Sequence, residues 1–305
     1  MSSGWNTIES DAGVFTELVE SFGAKSVEFA EVFTLDPDEL RNIQPIYGVI
    51  FLFKWTPELA RSPDSDENGV FDRESSNLFF AHQKIQNACA TQAILSILLN
   101  RADIHIGETL NDFKEFVADF GAELRGETLS NSDLIRHVHN SFSRPTPFIN
   151  EAAMNQDSTT GEDVYHFIAY TVTNGKLYEL DGLQPYPISH GYCDDAVFPE
   201  RITDVLTRRI ARYPATEIRF NLLAVVHNQL ELLEAAGDMA GVLQEKEKRA
   251  TWKRESVLRK HNYVGMINVL LKGMVADTLQ KEGESGLEKR LDDGMRKSMK
   301  RLGQM

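Results

Sequence analysis

Asn87-Ala88-Cys89-Ala90-Thr91-Gln92-Ala93-Ile94-Leu95-Ser96-Ile97-Leu98-Leu99-Asn100 is the stretch on which the fold turns. Ala90, Ala93, Ile94, Ile97 and Leu98 recur with the 3.6-residue period, so the segment predicts a helix with one apolar stripe. Asn87 stands where a helix N-cap would, directly before the periodic residues. Cys89 then falls in the first helical turn. Orphan backbone N–H groups and the positive end of the helix dipole there favour thiolate and are expected to draw the pKa below about 8.5. A buried structural cysteine satisfies the same position.

Outward from this helix, strand and helix signals alternate. Toward the amino terminus, Ser10-Asp11 predicts the cap of a helix that runs to Phe22 and stops at Gly23. Residues 27–33 alternate like a half-buried strand, residues 47–55 are rich in Val, Ile, Phe and Trp, and residues 57–77 read as a polar, acidic loop. Toward the carboxyl terminus, helices are expected over 110–120, 132–142 and 195–213, and a strand over 220–226. Residues 143–163 hold two prolines and the polar run 155–160, and predict a long exposed loop. Beyond His227 the strand signals end and amphipathic helical patterns take over. The expected organisation is a mixed α/β catalytic domain over 1–227 and an all-helical extension over 228–305.

Composition limits the function. With 42% hydrophobic and 26% charged residues, the 305-residue chain is not disordered as a whole. A net charge of −14 argues against general affinity for nucleic acid or anionic membranes. The extension carries 15 Lys plus Arg against 12 Asp plus Glu, net +3, which leaves 17 against 34, net −17, for residues 1–227. Cys89 and Cys193 are too few for a disulfide scaffold. The first eleven residues have no secretory signal pattern, and the longest apolar run, 49–53, is far short of the roughly 20 residues that span a bilayer. A cytoplasmic and nuclear location is expected. His137 and His139, two apart on a helix, do not share a face, so no metal site is expected there, and Cys193 reads as structural.

The strongest hairpin signal is Asn174-Gly175 between 166–173 and 176–183. A two-residue loop pairs Thr173 with Lys176 and, by the same register, Ile168 with Asp181. His166 and Asp181 then project from one face on a diagonal of roughly 7–8 Å. That is the link between base and orienting carboxylate in a Cys-His-Asp triad; a His and an Asp that merely cap a sheet edge satisfy the register equally. Gln83, six residues before Cys89, is close enough to join the Cys89 N–H in an oxyanion hole.

Residues 79–93, with Gln83 and Asn87-Ala88-Cys89, resemble the active-site motif of the ubiquitin C-terminal hydrolases, papain-like cysteine deubiquitinases. His166-Phe167-Ile168-Ala169-Tyr170 and Leu180-Asp181-Gly182-Leu183 are similar to the family's His and Asp strands, and Gly4-Trp5, Glu9-Ser10-Asp11 and 48–55 to its amino-terminal signature. The resemblance implies an α/β papain-like fold with an antiparallel sheet flanked by helices, and hydrolysis after the C-terminal glycine of ubiquitin without a cofactor. It assigns Cys89 as nucleophile, His166 as base and acid, Asp181 as orienter and Gln83 as oxyanion donor. It also makes 143–163 the loop that arches over the active site. Arg259-Lys260-His261-Asn262-Tyr263 and the following apolar residues resemble the extension of the long, proteasome-associated members. The partners thus implied are ubiquitin, a proteasomal ubiquitin receptor with a deubiquitinase-adaptor domain, and a chromatin-remodelling complex subunit. A ubiquitin-binding adaptor with vestigial catalysis and another papain-like hydrolase are the competing readings.

Overall fold

The computed structural model describes residues 4–55, 69–75, 77–143, 165–214, 217 and 219–301. Residues 144–163 of the long loop and most of the 57–77 loop lie outside these. The chain forms two compact units, the first ending at Lys260 and the second running from His261.

In the first unit, α1 (Ala12–Phe22) begins at Asp11, whose carboxylate accepts from the Val14 N–H, and ends at Gly23 in the left-handed region, as the sequence predicts. The remaining elements in chain order are β1 (Val27–Glu31), α2 (Pro37–Arg41), β2 (Ile46–Lys54), β3 (Val70–Phe71), α3 (Cys89–Leu98), α4 (Gly107–Phe116), α5 (Ala122–Asn131), α6 (Asp133–Asn140), β4 (Tyr165–Thr173), β5 (Lys176–Leu180), β6 (Ile188–Tyr192), α7 (Phe198–Ile210), β7 (Asn221–His227), α8 (Gln229–Ala236) and α9 (Met239–Lys260). The short elements α2, β3 and β6, and the weakly amphipathic α5, have no counterpart in the sequence reading.

Among the described residues the strands form one antiparallel sheet in the order β1-β7-β2-β4-β5-β6-β3. The β4–β5 hairpin turns through Asn174 and Gly175, both at positive φ, with Thr173 opposite Lys176 and Ala169 opposite Leu180. Side chains leave each strand alternately, and the core divides accordingly. Tyr47, Ile50, Ala169, Leu223 and Val225 pack with α1, α3 and α4–α6 on one face. Val49, Phe51, Phe53, Ile168, Tyr170, Ala224 and Val226 pack with α2 and α7 on the other. Both faces are covered, which is why β2 and β7 read as nearly continuous apolar runs.

The compact body does not end at residue 227, where the strand signals stop. The Trp252 ring of α9 lies against Gly13 of α1. Ser256 donates to Glu17 at 2.7 Å, and Arg259 pairs with Asp11 at 2.7 Å. Glu28 of β1, fully buried, receives Lys248 at 3.3 Å and also Arg249. The boundary shifts because the basic residues of α9 neutralise carboxylates of α1 and β1, a tertiary pairing that a change in local composition does not register. In the second unit, α10 (Val264–Arg301) is interrupted at Gly283, φ 69°, and carries exposed Met266, Ile267, Val269, Leu270 and Leu271. Among the described residues, no helix is long and apolar enough to cross a membrane.

Candidate active site

Cys89 is the first residue of α3, so the expected position in the first helical turn holds. Two expectations attached to it do not. Asn87 is not the N-cap: it lies in a 3₁₀ turn, Gln86–Ala88, and its Nδ2 donates to the Trp5 carbonyl at 3.0 Å, tying the amino-terminal segment to the approach to the helix. Nor is the thiol acidified. Burial pushes it up to about 11, while the backbone N–H groups of Phe167, Ala90 and Cys89 itself act in the opposite direction without overcoming it. Removing a thiolate from water in an apolar setting costs more than one helix end returns.

His166 and Asp181 meet as the hairpin register requires. The His166 Nε2 and the Asp181 Oδ1 are 2.6 Å apart, and both side chains are buried. Burial pushes the Asp181 carboxyl up, but the hydrogen bond and charge of His166 and the Leu183 N–H, 3.0 Å from Oδ1, outweigh it and leave the pKa lowered. An ionised carboxylate only accepts, so Nε2 carries the hydrogen and, in the neutral ring, Nδ1 is the free base. Phe53, the cross-strand partner of His166, meets its ring at 5.7 Å in an edge-to-face contact. Among the described residues no hydrogen bond joins His166 to Cys89; the thiol lies beside the Phe167 backbone N–H, one residue along β4.

Gln83 is fixed through its main chain, its N–H donating to the Gly182 carbonyl at 2.8 Å. The sequence reading passed over a residue that ties down the main chain two positions earlier. Gln92, one turn after Cys89 on α3, is buried and donates from Nε2 to the Ala81 carbonyl at 2.6 Å. A Cβ at Gly182 would stand 2.3 Å from that Nε2 and 3.0 Å from the Gln83 nitrogen, so only glycine lets the Asp181 turn approach the strap of residues 79–83 so closely. Asn100 fastens the other end of the strap: it accepts from the Phe79 N–H at 2.7 Å and donates to the Phe79 carbonyl at 2.8 Å. The helix thus carries the thiol and Gln92, and the turn just beyond it carries Asn100, so α3 and its C-terminal turn hold the segment that positions Gln83. A groove of about 310 Å³ opens beside it, lined by Trp55, Gln83, Lys84, Ile85, Tyr165, His166 and Leu183.

The two expected non-catalytic assignments have clear surroundings. His139 is buried, with Nε2 2.6 Å from the Asn6 carbonyl and Nδ1 2.7 Å from Thr91 Oγ1, which makes it a neutral cross-link between α3, α6 and the amino-terminal segment. Cys193 is fully buried, a free thiol 3.4 Å from the Asp194 carbonyl.

A thiol at the head of a helix, packed against an antiparallel sheet whose neighbouring strands supply an imidazole and its carboxylate, is the arrangement of the papain-like cysteine hydrolases. Within that class the assignment is specific. The profile described as "Ubiquitin carboxyl-terminal hydrolase, family 1" matches residues 5–211, and one described as "Ubiquitin carboxyl-terminal hydrolases" matches residues 241–279. The chain is 48% identical over 285 residues to ubiquitin carboxyl-terminal hydrolase 2 of Schizosaccharomyces pombe, covering 91% of this chain and 93% of the relative. It is 37% identical over 333 residues to ubiquitin carboxyl-terminal hydrolase isozyme L5 of Dictyostelium discoideum, covering 92% and 94%. The crystal structure of the Trichinella spiralis UCH37 catalytic domain bound to ubiquitin vinyl methyl ester superposes with a TM-score of 0.61 at 36% identity, over 73% of this chain and 96% of that one. The chain belongs to the ubiquitin carboxyl-terminal hydrolase family. It is a thiol-dependent deubiquitinase with ubiquitin as its substrate, and its fold is that of the family.

Proposed function

We propose that residues 1–227, with α8 and α9 completing the same body, hydrolyse the bond after the C-terminal glycine of ubiquitin through Cys89, His166, Asp181 and Gln83, and that the rest of 228–305, beyond Lys260, recruits partners. The observation that carries the catalytic assignment is the buried 2.6 Å contact between His166 and Asp181, which leaves Nδ1 as the base on the strand beside Cys89. Catalytic hydrogen bonds often tighten only when substrate is bound, and His166 Nδ1 reaches the thiol at that stage. As Nδ1 takes the thiol proton, Sγ bonds to the carbonyl carbon, and the resulting oxyanion is held by the Gln83 side-chain amide and the Cys89 N–H. Collapse breaks the C–N bond, and Nδ1–H protonates the leaving amine. Water then attacks the thioester, giving its proton to Nδ1, and the thiol is released as ubiquitin departs with a free carboxylate.

Within the cell, the enzyme acts in this proposal at the proteasome, in cytoplasm and nucleus, trimming ubiquitin from the distal ends of chains. The extension binds a proteasomal ubiquitin receptor with a deubiquitinase-adaptor domain, and a chromatin-remodelling complex subunit as a second partner. Similarity to isozyme L5 and UCH37 relatives along nearly their whole length supports this, as does the exposed apolar row on α10.

The test is a Cys89→Ala variant assayed with a ubiquitin-linked fluorophore and with a ubiquitin-derived electrophilic probe. Turnover and covalent labelling are expected to vanish while ubiquitin binding persists. Retained turnover would remove Cys89 from the mechanism, and a parent protein that binds the probe without labelling would make the chain an adaptor. Pull-down with 228–305 should recover proteasome subunits, and their absence would reject the partner assignment alone.

A further inference from the structure

Behind the His166–Asp181 contact lies a second pair of opposite charges that the reaction above does not use. Arg209 of α7 is buried, and its Nη1 donates to Oε1 of Glu179 at 2.7 Å. Glu179 is fully buried on β5, and its Oε2 is 3.2 Å from Nε2 of His190 on β6. The Arg209 guanidinium also lies over the Phe53 ring, 4.7 Å from its centroid, and that same ring makes the edge-to-face contact with His166. Glu179 precedes Asp181 by two residues, one pleat period, so both carboxylates emerge on the same side. Their charges act on one another, and both act on Arg209.

We propose that Arg209 and Glu179 form a positioning pair for deubiquitination: clamped by Glu179, Arg209 buttresses Phe53 against His166 and balances the second carboxylate beside Asp181. The inference rests on the roles given above to His166 and Asp181. Neither Arg209 nor Glu179 touches the reacting atoms. Their effect passes through the ring that seats His166 and through the local charge. The other titratable groups facing the pair are His190 on β6, Tyr170 on β4 and Tyr213 beyond α7. Phenols titrate far above the working range, which leaves His190 as the group able to imitate the effect.

The sign follows from charge alone. Removing the guanidinium leaves excess negative charge beside Asp181 and raises the proton affinity of the dyad to which Asp181 belongs. Whichever of its members limits turnover at low pH, the acid limb of kcat/KM moves upward. The loss of one buried charge coupled to Asp181 is expected to move the limb by on the order of one pH unit.

With the full chain and a ubiquitin-linked fluorophore, Arg209→Met is expected to shift the acid limb up by about one pH unit and to lower kcat near pH 7 by about tenfold, with KM within about twofold. Glu179→Gln, which keeps the shape, should shift the limb down, and the Arg209→Met/Glu179→Gln double variant should bring it back close to the parent's. The same series on a His190→Gln background removes the imidazole as a source of the shift. A limb that stays in place in either folded single variant overturns the proposal, whatever happens to stability. Should Arg209→Met not fold by circular dichroism, Glu179→Gln and the double variant decide. Asp181→Asn and His166→Ala separate the two levels. If they keep activity, the assignment of the dyad fails; if they lose it while the limbs stay fixed, only the positioning role fails.

Discussion

Cys89 experiences two opposed influences, and burial prevails. The backbone N–H groups at the head of α3 stabilise a thiolate, yet burial pushes the pKa up to about 11, so Cys89 rests as a neutral thiol. A group whose folded pKa is raised stays protonated until pH approaches that value. Alkylation of Cys89 by iodoacetamide in the free protein is therefore expected to rise about tenfold per pH unit between pH 7 and 10, with Cys89→Ala as the blank for Cys193. A rate that levels off below pH 8 would contradict this. In the proposed mechanism the same protonation gives His166 its task as base, because no standing thiolate population replaces it. Gln83 is the oxyanion donor in the proposed mechanism. Gln83→Ala should lower kcat on the order of 10²-fold with little change in KM, and an unchanged kcat would reject its role.

The α3 element connects most of the site. Its periodic apolar residues made the helix visible in the sequence, and the Asn-Gly turn made the β4–β5 register, hence the meeting of His166 with Asp181, visible as well. Asn87 was legible only as a polar residue before a helix; whether it caps or reaches Trp5 depends on where the amino-terminal segment passes. Likewise, Gly126 and the sparse apolar residues of α5 argue against a helix locally. It forms because that face packs under the His82 main chain, where a Cβ at Gly126 would stand 2.0 Å from the carbonyl oxygen. The strap over residues 79–83 is an element in the same sense, held by Asn100 at Phe79, by Gln92 at Ala81 and by Gly182 at Gln83. Asn100→Ala leaves the Phe79 N–H and carbonyl without those partners and is expected to cost about 2 kcal/mol in urea denaturation. A cost below about 0.5 kcal/mol would show that the strap does not depend on it.

Across the whole molecule, charge and packing assign α9 to the hydrolase body. The acidic catalytic sequence and the basic stretch beyond it are not two independent surfaces, because Lys248, Arg249 and Arg259 meet Glu28, Glu20 and Asp11. Truncation after Lys260 is expected to leave the thermal unfolding midpoint within about 2 °C of the full chain. Truncation after His227 removes the cover over α1 and Glu28 and should cost about 3 kcal/mol, on the order of 10 °C. Equal midpoints for the two truncations would return the boundary to residue 227. Taken by itself, the sequence determined the alternation of helices and strands, the hairpin register and the four residues proposed for the chemistry, because periodicity, turn residues and motif spacing are local properties of the chain. The tertiary structure alone decided that the thiol is held protonated, that Gln92 and Gly182 seat the strap, that Arg209 and Glu179 stand behind the dyad, and that the body extends to Lys260. Each of these depends on desolvation or on contacts between residues distant in sequence, and neither is encoded in a local pattern.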